Sequence, residues 1–227
     1  MCITTFHVHA QGDTQDSVRV FYGDEISGSI GAFTHGFGIG VRYAKREYAL
    51  KKTIYEFQVA SIHHPKEIKI SADKGNRLVY GKSNNVFSFL FSYGKQIEKY
   101  SKLDKGSVAV RYIPFGGFAL ATEKPYYYIV DVENNTYERF DASTTTKFAK
   151  APFHVGLDEL KFIPGLFIGA SVNFEFSNKN MIIQALEFGG NIQLYARKIE
   201  IMYENDNQFI FPTLFIIYRF GKALTYR

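Results

Sequence analysis

Residues 166–178 read LFIGASVNFEFSN and alternate without a break. Ile168, Ala170, Val172, Phe174 and Phe176 share one parity, and Gly169, Ser171, Asn173 and Glu175 share the other. Side chains on a strand point to opposite faces in turn, whereas a helix repeats its face about every 3.6 residues. The stretch is therefore a strand with one apolar and one polar face. Two architectures accept such a strand: a soluble sheet with its apolar face on a core, or a membrane barrel with its apolar face on lipid.

The same period recurs along the chain. Phe37, Ile39, Val41 and Tyr43 oppose Gly38, Gly40, Arg42 and Ala44; Tyr55, Phe57 and Val59 oppose Glu56, Gln58 and Ala60. Phe87, Phe89, Phe91 and Tyr93 oppose Ser88, Leu90, Ser92 and Gly94, while Val108, Val110 and Tyr112 oppose Ala109, Arg111 and Ile113. Leu186, Phe188, Ile192 and Leu194 oppose Glu187, Gly189, Asn191 and Gln193. The last strand is apolar on both faces, with Leu214, Ile216, Tyr218 and Phe220 in one register and Thr213, Phe215, Ile217 and Arg219 in the other. With a glycine-rich first strand, the pattern predicts eight strands, at 25–33, 36–46, 52–63, 84–98, 106–122, 164–177, 182–203 and 208–220.

An even count suits a closed antiparallel barrel with both ends of the wall on one side. The connections near 47–51, 99–105 and 178–181 are then short periplasmic turns, and the long ones at 64–83 and 123–163 are extracellular. The tight turn at 34–35 and the ENDNQ link also fall on the extracellular side. No apolar run reaches the roughly 18 residues of a membrane helix, so any membrane crossing is made by strands.

Composition separates the two architectures. A soluble barrel puts its polar face in water and dresses it with Lys, Glu and Asp. Here that face carries Gly, Ser, Asn, Gln, Glu and Arg, and lysines collect at strand ends and loops. The chain has 22 Phe and 16 Tyr and no Trp, more large rings than an eight-stranded lumen holds. The apolar face is therefore expected on lipid or on a membrane partner, led by Phe37, Tyr43, Phe57, Phe87, Phe89, Phe91, Tyr112, Phe174, Phe188, Tyr218 and Phe220. Inside, Arg42, Arg111 and Arg219 share a face with Glu25, Glu56, Glu175 and Glu187, close to charge balance. Buried charges persist when paired, so a cross-lumen network that stops the barrel is expected; the alternative is hydrated groups at the rims.

The opening MCITTFHVHAQGD contains VHA before Gln11, the small-residue spacing of a signal-peptidase site. It reads as the remnant of an export signal over 1–10, cleaved near Ala10-Gln11, or as a disordered start; Cys2 lacks preceding lipobox residues. Residues 11–24 are then a periplasmic segment, 25–222 the barrel and 223–227 a tail. The net charge of +5 comes from lysines and arginines scattered through loops, such as Lys66, Lys69, Lys74, Arg77 and Lys82. No basic helix or nucleic-acid motif organises them; a solvated rim facing anionic headgroups, including lipopolysaccharide phosphates, is expected, and no nucleic-acid partner.

The HAQ site, the opening GSIGAFTHGFGIGVRYAKRE, the block KAPFHVGLDELKFIPGLFIGASVNFEF and the aromatic last strand ending in Phe220 resemble the small outer-membrane β-barrel proteins of Bacteroidota, the group that includes PorT-like and PorG-like proteins. The resemblance spans most of residues 20–222 and implies a bacterial outer-membrane barrel that works with other outer-membrane proteins in secretion or biogenesis. It also implies recognition of Phe220 by the assembly machinery, although GKALTYR follows it here.

Chemistry is sparse. His63 and His64 are adjacent on a strand and point to opposite faces, so they do not grip one metal; they read as rim anchors before Pro65. His154, Asp158 and Glu159 lack a marked nucleophile, and no catalytic, metal or cofactor site is expected. Within 123–163, KPYYYIVDVE and NTYERFDAS are expected to pair as a hairpin that extends the barrel wall. Phe153, Val155, Leu157, Leu160 and Phe162 must bury against something: the barrel mouth, or another outer-membrane protein.

Overall fold

The computed structural model describes residues 23–71, 77–101, 107–131, 136–140, 149–177, 181–203 and 207–225. The export remnant, the cleavage position and Cys2 lie outside the described residues.

Thirteen strands are present among them: β1 (Gly23–Phe33), β2 (Gly36–Tyr48), β3 (Lys51–Ile62), β4 (Lys69–Ser71), β5 (Arg77–Val79), β6 (Asn84–Tyr100), β7 (Ala109–Pro125), β8 (Tyr127–Asp131), β9 (Thr136–Arg139), β10 (Ala149–Lys150), β11 (Lys161–Glu175), β12 (Ile182–Ile199) and β13 (Gln208–Thr225). Eight of them close an antiparallel barrel in the order β1-β13-β12-β11-β7-β6-β3-β2. Every neighbour is the next barrel strand in the chain, except that β1 pairs with β13 from Gly23↔Thr225 to Phe33↔Phe215 and seals the ring. A closed ring leaves no row of unpaired backbone groups, the condition for strands in hydrocarbon.

The alternation sorts side chains as the sheet requires. Phe37, Ile39 and Val41 are exposed on the outside, and Arg42 and Ala44 are buried inside. Leu166, Ile168, Phe174 and Phe176 are likewise exposed while Phe167, Ser171, Asn173 and Glu175 are buried. The apolar face is the outer skin.

Several boundaries differ from expectation. β13 runs to Thr225, so 223–225 continue the wall instead of forming a tail, because β1 begins at Gly23 and supplies them with partners. The connection expected over 123–163 shrinks to 126–160, since Lys161–Glu123 and its neighbours pair β11 to β7. The hairpin β8–β9 forms, but with β10 it makes a separate three-stranded sheet and does not extend the wall. At the same end β4 pairs with β5 as a small hairpin.

The two-residue turn Thr34-His35 is fixed by side chain and backbone together. Leu214 N donates to Thr34 Oγ1 at 2.9 Å, and Thr34 N donates to Leu214 O at 2.9 Å. Gly36 leaves the turn at φ 156°, and a Cβ there would stand 2.2 Å from Ser61 O, so no other residue fits that approach.

The lumen has two layers. Toward the long connections it is apolar: Ile62, Val86, Leu90, Ala119, Ala121, Ile163, Phe167, Tyr195, Ile199, Ile201, Met202 and Phe211 form one cluster, with Phe115 against it. Toward the short turns charged groups dominate, with a small apolar cluster of Ala44, Ile54 and Ile113 among them. The sequence reading has the last strand apolar on both faces, and Phe215 is indeed buried inside; Phe167 and Phe211 add further inner rings on strands whose outer parity is also apolar.

Candidate functional site

The charged layer begins with a cross-strand pair. Register sets Arg42 on β2 opposite Glu56 on β3. Arg42 Nε and Nη2 donate to Glu56 Oε2 at 2.9 and 2.6 Å. The same guanidinium crosses the lumen: Nη1 donates to Glu187 Oε2 at 3.0 Å and Nη2 to Oε1 at 2.9 Å. Arg219 on β13 closes the set, with Nε donating to Glu187 Oε2 at 3.2 Å and Nη2 to Glu56 Oε1 at 2.9 Å. Glu187 also accepts from Ser171 Oγ at 2.8 Å and Asn173 Nδ2 at 3.2 Å. Two cations and two anions therefore form a neutral quartet, and Glu187 is only 1% exposed. Charge-assisted bonds at such distances offset desolvation only when the partners' remaining sites are satisfied as well; five donors satisfy Glu187, while Arg219 Nη1 is left without a protein partner.

A second group lies nearer the short turns. Arg111 pairs with Glu175, and its Nε donates to Glu98 Oε2 at 3.2 Å. Glu25 is bonded by Lys52 Nζ. The seven residues expected at the lumen thus divide into a quartet of Arg42, Glu56, Glu187 and Arg219, an Arg111–Glu175 pair, and Glu25 held by a lysine. The sequence reading left out Glu98 and Lys52. Both were accessible to a parity count: Glu98 follows Ser92 and Gly94 by even steps, and Lys52 precedes Glu56 likewise. Lys52, 3% exposed, is a lysine on the inner face, placed at the strand end where the sequence gathers its lysines. An enclosed cavity beside the quartet, bounded by Arg42, Glu187, Phe115, Phe167 and Phe215, has about 20 Å³. That holds about one water.

No protein-family model and no curated protein matches this chain. Among solved structures, neisserial surface protein A is 6% identical over 88% of this chain and 96% of that one, with a TM-score of 0.48. The attachment invasion locus protein of Yersinia pestis, solved with the heparin analogue sucrose octasulfate, is 7% identical over 89% and 97%, with a TM-score of 0.40. The N-terminal β-barrel domain of Pseudomonas aeruginosa OprF is 10% identical over 87% and 97%, with a TM-score of 0.35.

The outer skin has its own order. Phe37, Tyr43, Phe91, Tyr112, Phe174, Phe188 and Phe220 are exposed, and Phe57, Phe87, Phe89 and Tyr218 are half-buried among neighbours on the same face. Tyr55 and Tyr93 rings stand 5.5 Å apart, and Phe57 and Phe91 rings 4.8 Å apart. The closed antiparallel ring with its skin of Phe, Tyr, Ile and Leu gives the chain the architecture of the small outer-membrane β-barrels.

The loop residues take a position the sequence did not distinguish. Phe153 packs edge-on against Phe87 of the outer wall at 6.4 Å, under the Lys124 ammonium at 5.1 Å. Lys124 Nζ donates to Val155 O at 2.7 Å. The segment lies against the side of β6 and β7 and not across the mouth, because the mouth is filled by Ile199, Ile201 and Met202. Phe153, Leu157 and Phe162 stay exposed, and Val155 and Leu160 are half-buried. Glu159 is taken up by Arg139 and accepts from Tyr127 Oη at 2.7 Å.

Above the mouth, loops lock together through aromatics. Phe140 meets Tyr80, Tyr128 and Tyr203 at 5.2, 5.9 and 5.4 Å, and Tyr128 Oη donates to Val79 O at 2.6 Å. Beside them Glu67 takes Lys82 Nζ at 2.8 Å, His63 Nδ1 at 3.4 Å and His64 N at 3.2 Å. Burial alone would push the Glu67 carboxyl up, but the bonds from His63 and Lys82 outweigh it and hold its pKa at about 2, below the ordinary 4.5. A carboxylate depressed in the folded state stabilises fully above its unfolded pKa and loses that contribution as pH falls through the folded value. Amide exchange of residues 63–68, corrected for its intrinsic pH dependence, is therefore expected to accelerate as pH drops from about 4.5 toward about 2. In Glu67→Gln it is expected to be fast already above that window and flat across it; an acid-dependent latch in the variant would contradict the assignment.

Proposed function

We propose that this protein is exported to the bacterial outer membrane and serves there as a non-catalytic subunit or accessory of a larger envelope complex, in protein secretion or outer-membrane protein biogenesis. The observation that carries the reading is the stopped lumen: a neutral, cross-bonded Arg/Glu quartet under an apolar layer, with room beside it for about one water. A barrel without a passage acts through its surfaces. The exposed Phe153, Leu157 and Phe162 at the long-connection end and the aromatic skin offer such surfaces to another membrane protein. The likeness of the quoted segments to the Bacteroidota group supports the choice of complex by association only. Lipopolysaccharide and phospholipid are the surrounding partners, and the long connections face outward by the general rule for such barrels.

The test is extraction of the native protein from envelopes in mild detergent, followed by sizing and identification of co-migrating proteins. Stoichiometric companions are expected. A lone particle of barrel-plus-micelle size would sink the subunit reading. Planar-bilayer recordings distinguish the channel alternative: silence is expected, and discrete conductance steps would replace the subunit reading with a small porter.

A further inference from the structure

Among the described residues the outer skin carries shallow, open troughs, three of them of about 610, 570 and 530 Å³. The first runs over Ile30, Ala32 and Phe37, and the second over Ala170, Gly190 and Leu214; neither is lined by a charged residue. The third differs. It lies at the short-turn end where β1 meets β13, lined by Ile26, Gly28, Val41, Ile182 and Phe220, and it ends on Lys222 and Gln184.

Its shape follows from register. Gly28 stands between Val41 of β2 and Phe220 of β13, so the wall drops by one side chain between two large neighbours. The Phe220 ring leans into that gap, 3.2 Å from where a Cβ on Gly28 would be. Ile26, two residues on, is flanked by Tyr43 and by Lys222. Lys222 faces outward with Phe220 and Tyr218, and its backbone is held past the end of β12 by Ala223 N donating to Met181 O at 3.0 Å. No carboxylate among the described residues pairs with it. The acid across β1, Asp24, accepts from Tyr43 Oη and from Arg46 N.

We infer that this groove binds one anionic phospholipid of the periplasmic leaflet, its acyl chain along Ile26, Gly28 and Val41 and its phosphate on Lys222 and Gln184. An exposed cation at the headgroup end of an apolar trough is complementary to that amphiphile, and a neutral trough is not. The groove and its cation stand independently of any partner complex; only the leaflet rests on the outer-membrane reading.

The experiment is native mass spectrometry of the protein released from vesicles of equal phosphatidylglycerol and phosphatidylcholine content. Wild type is expected to keep one phosphatidylglycerol in preference to phosphatidylcholine. Lys222→Gln is expected to lose that preference about fivefold, the weight of one lysine at a membrane surface. Val41→Trp fills the trough without touching charge and is expected to release both lipids alike, and Lys198→Gln at the opposite rim is expected to change nothing. Equal retention of the two lipids by wild type, no retained lipid, or undiminished preference in Lys222→Gln would overturn the site. Co-purification with an envelope complex is read separately, so either reading can fail alone.

Discussion

Replacing Glu187 with leucine is expected to cost about 3–5 kcal/mol, because it strands two buried guanidinium groups. Arg42 and Arg219 both lean on this carboxylate, which also takes Ser171 and Asn173. Glu56 is left to balance two cations alone. The measurement is the urea midpoint of the barrel refolded in detergent, read by the shift in electrophoretic mobility between folded and heated samples. Replacing all four members together, with methionine for each arginine and leucine for each glutamate, is expected to recover most of the loss, since no charge is then stranded. A quadruple variant as unstable as Glu187→Leu would mean that the quartet stabilises by shape or by its hydroxyl and amide partners. An unchanged midpoint in the single variant would mean that water reaches these groups and that the lumen is open.

Phe167→Ala is the second large effect. Phe167 is 6% exposed, sits in the apolar layer and touches Phe115 at 6.2 Å. Deleting a buried phenyl ring costs about 3–5 kcal/mol through lost burial and the cavity left behind. The variant is nevertheless expected to stay silent in planar bilayers, because the quartet still closes the lumen below it. Conductance is expected only when Phe167→Ala is combined with removal of the quartet's side chains. Current through the single variant would show that the apolar layer alone is the seal.

The positions of the barrel strands were readable because a two-residue period needs only local sequence. Arg42 and Ala44 against Phe37 and Val41 declare two faces whatever the neighbours do. Which face meets lipid was readable from kind and number: too many rings for the lumen, and too few lysines for a face in water. Parity also puts Glu98 and Lys52 on the inner face, by even steps from Ser92 and Glu56. What parity could not give is who meets whom across a lumen. Glu187 and Arg42 are 145 residues apart in the chain and adjacent only because closure curls β2 toward β12.

The loops were least legible for the same reason. Phe153 and Val155 are apolar in sequence, but whether they cover the mouth or the side wall depends on what already fills the mouth. Ile199, Ile201 and Met202 occupy it. The hairpin of β8 and β9 is local and forms as its residues dictate; its detachment from the wall is not local, since Tyr128 is drawn to Val79 and Phe140 to Tyr203. Sequence alone thus determined the eight barrel strands, their two faces and the need for a closed ring, all consequences of side-chain alternation and of backbone groups that require partners in hydrocarbon. Tertiary structure decided the pairing of the lumen charges, the apolar layer above them, the course of the long loops and the groove ending on Lys222. Each of those depends on contacts between distant residues, which ring closure and strand register create.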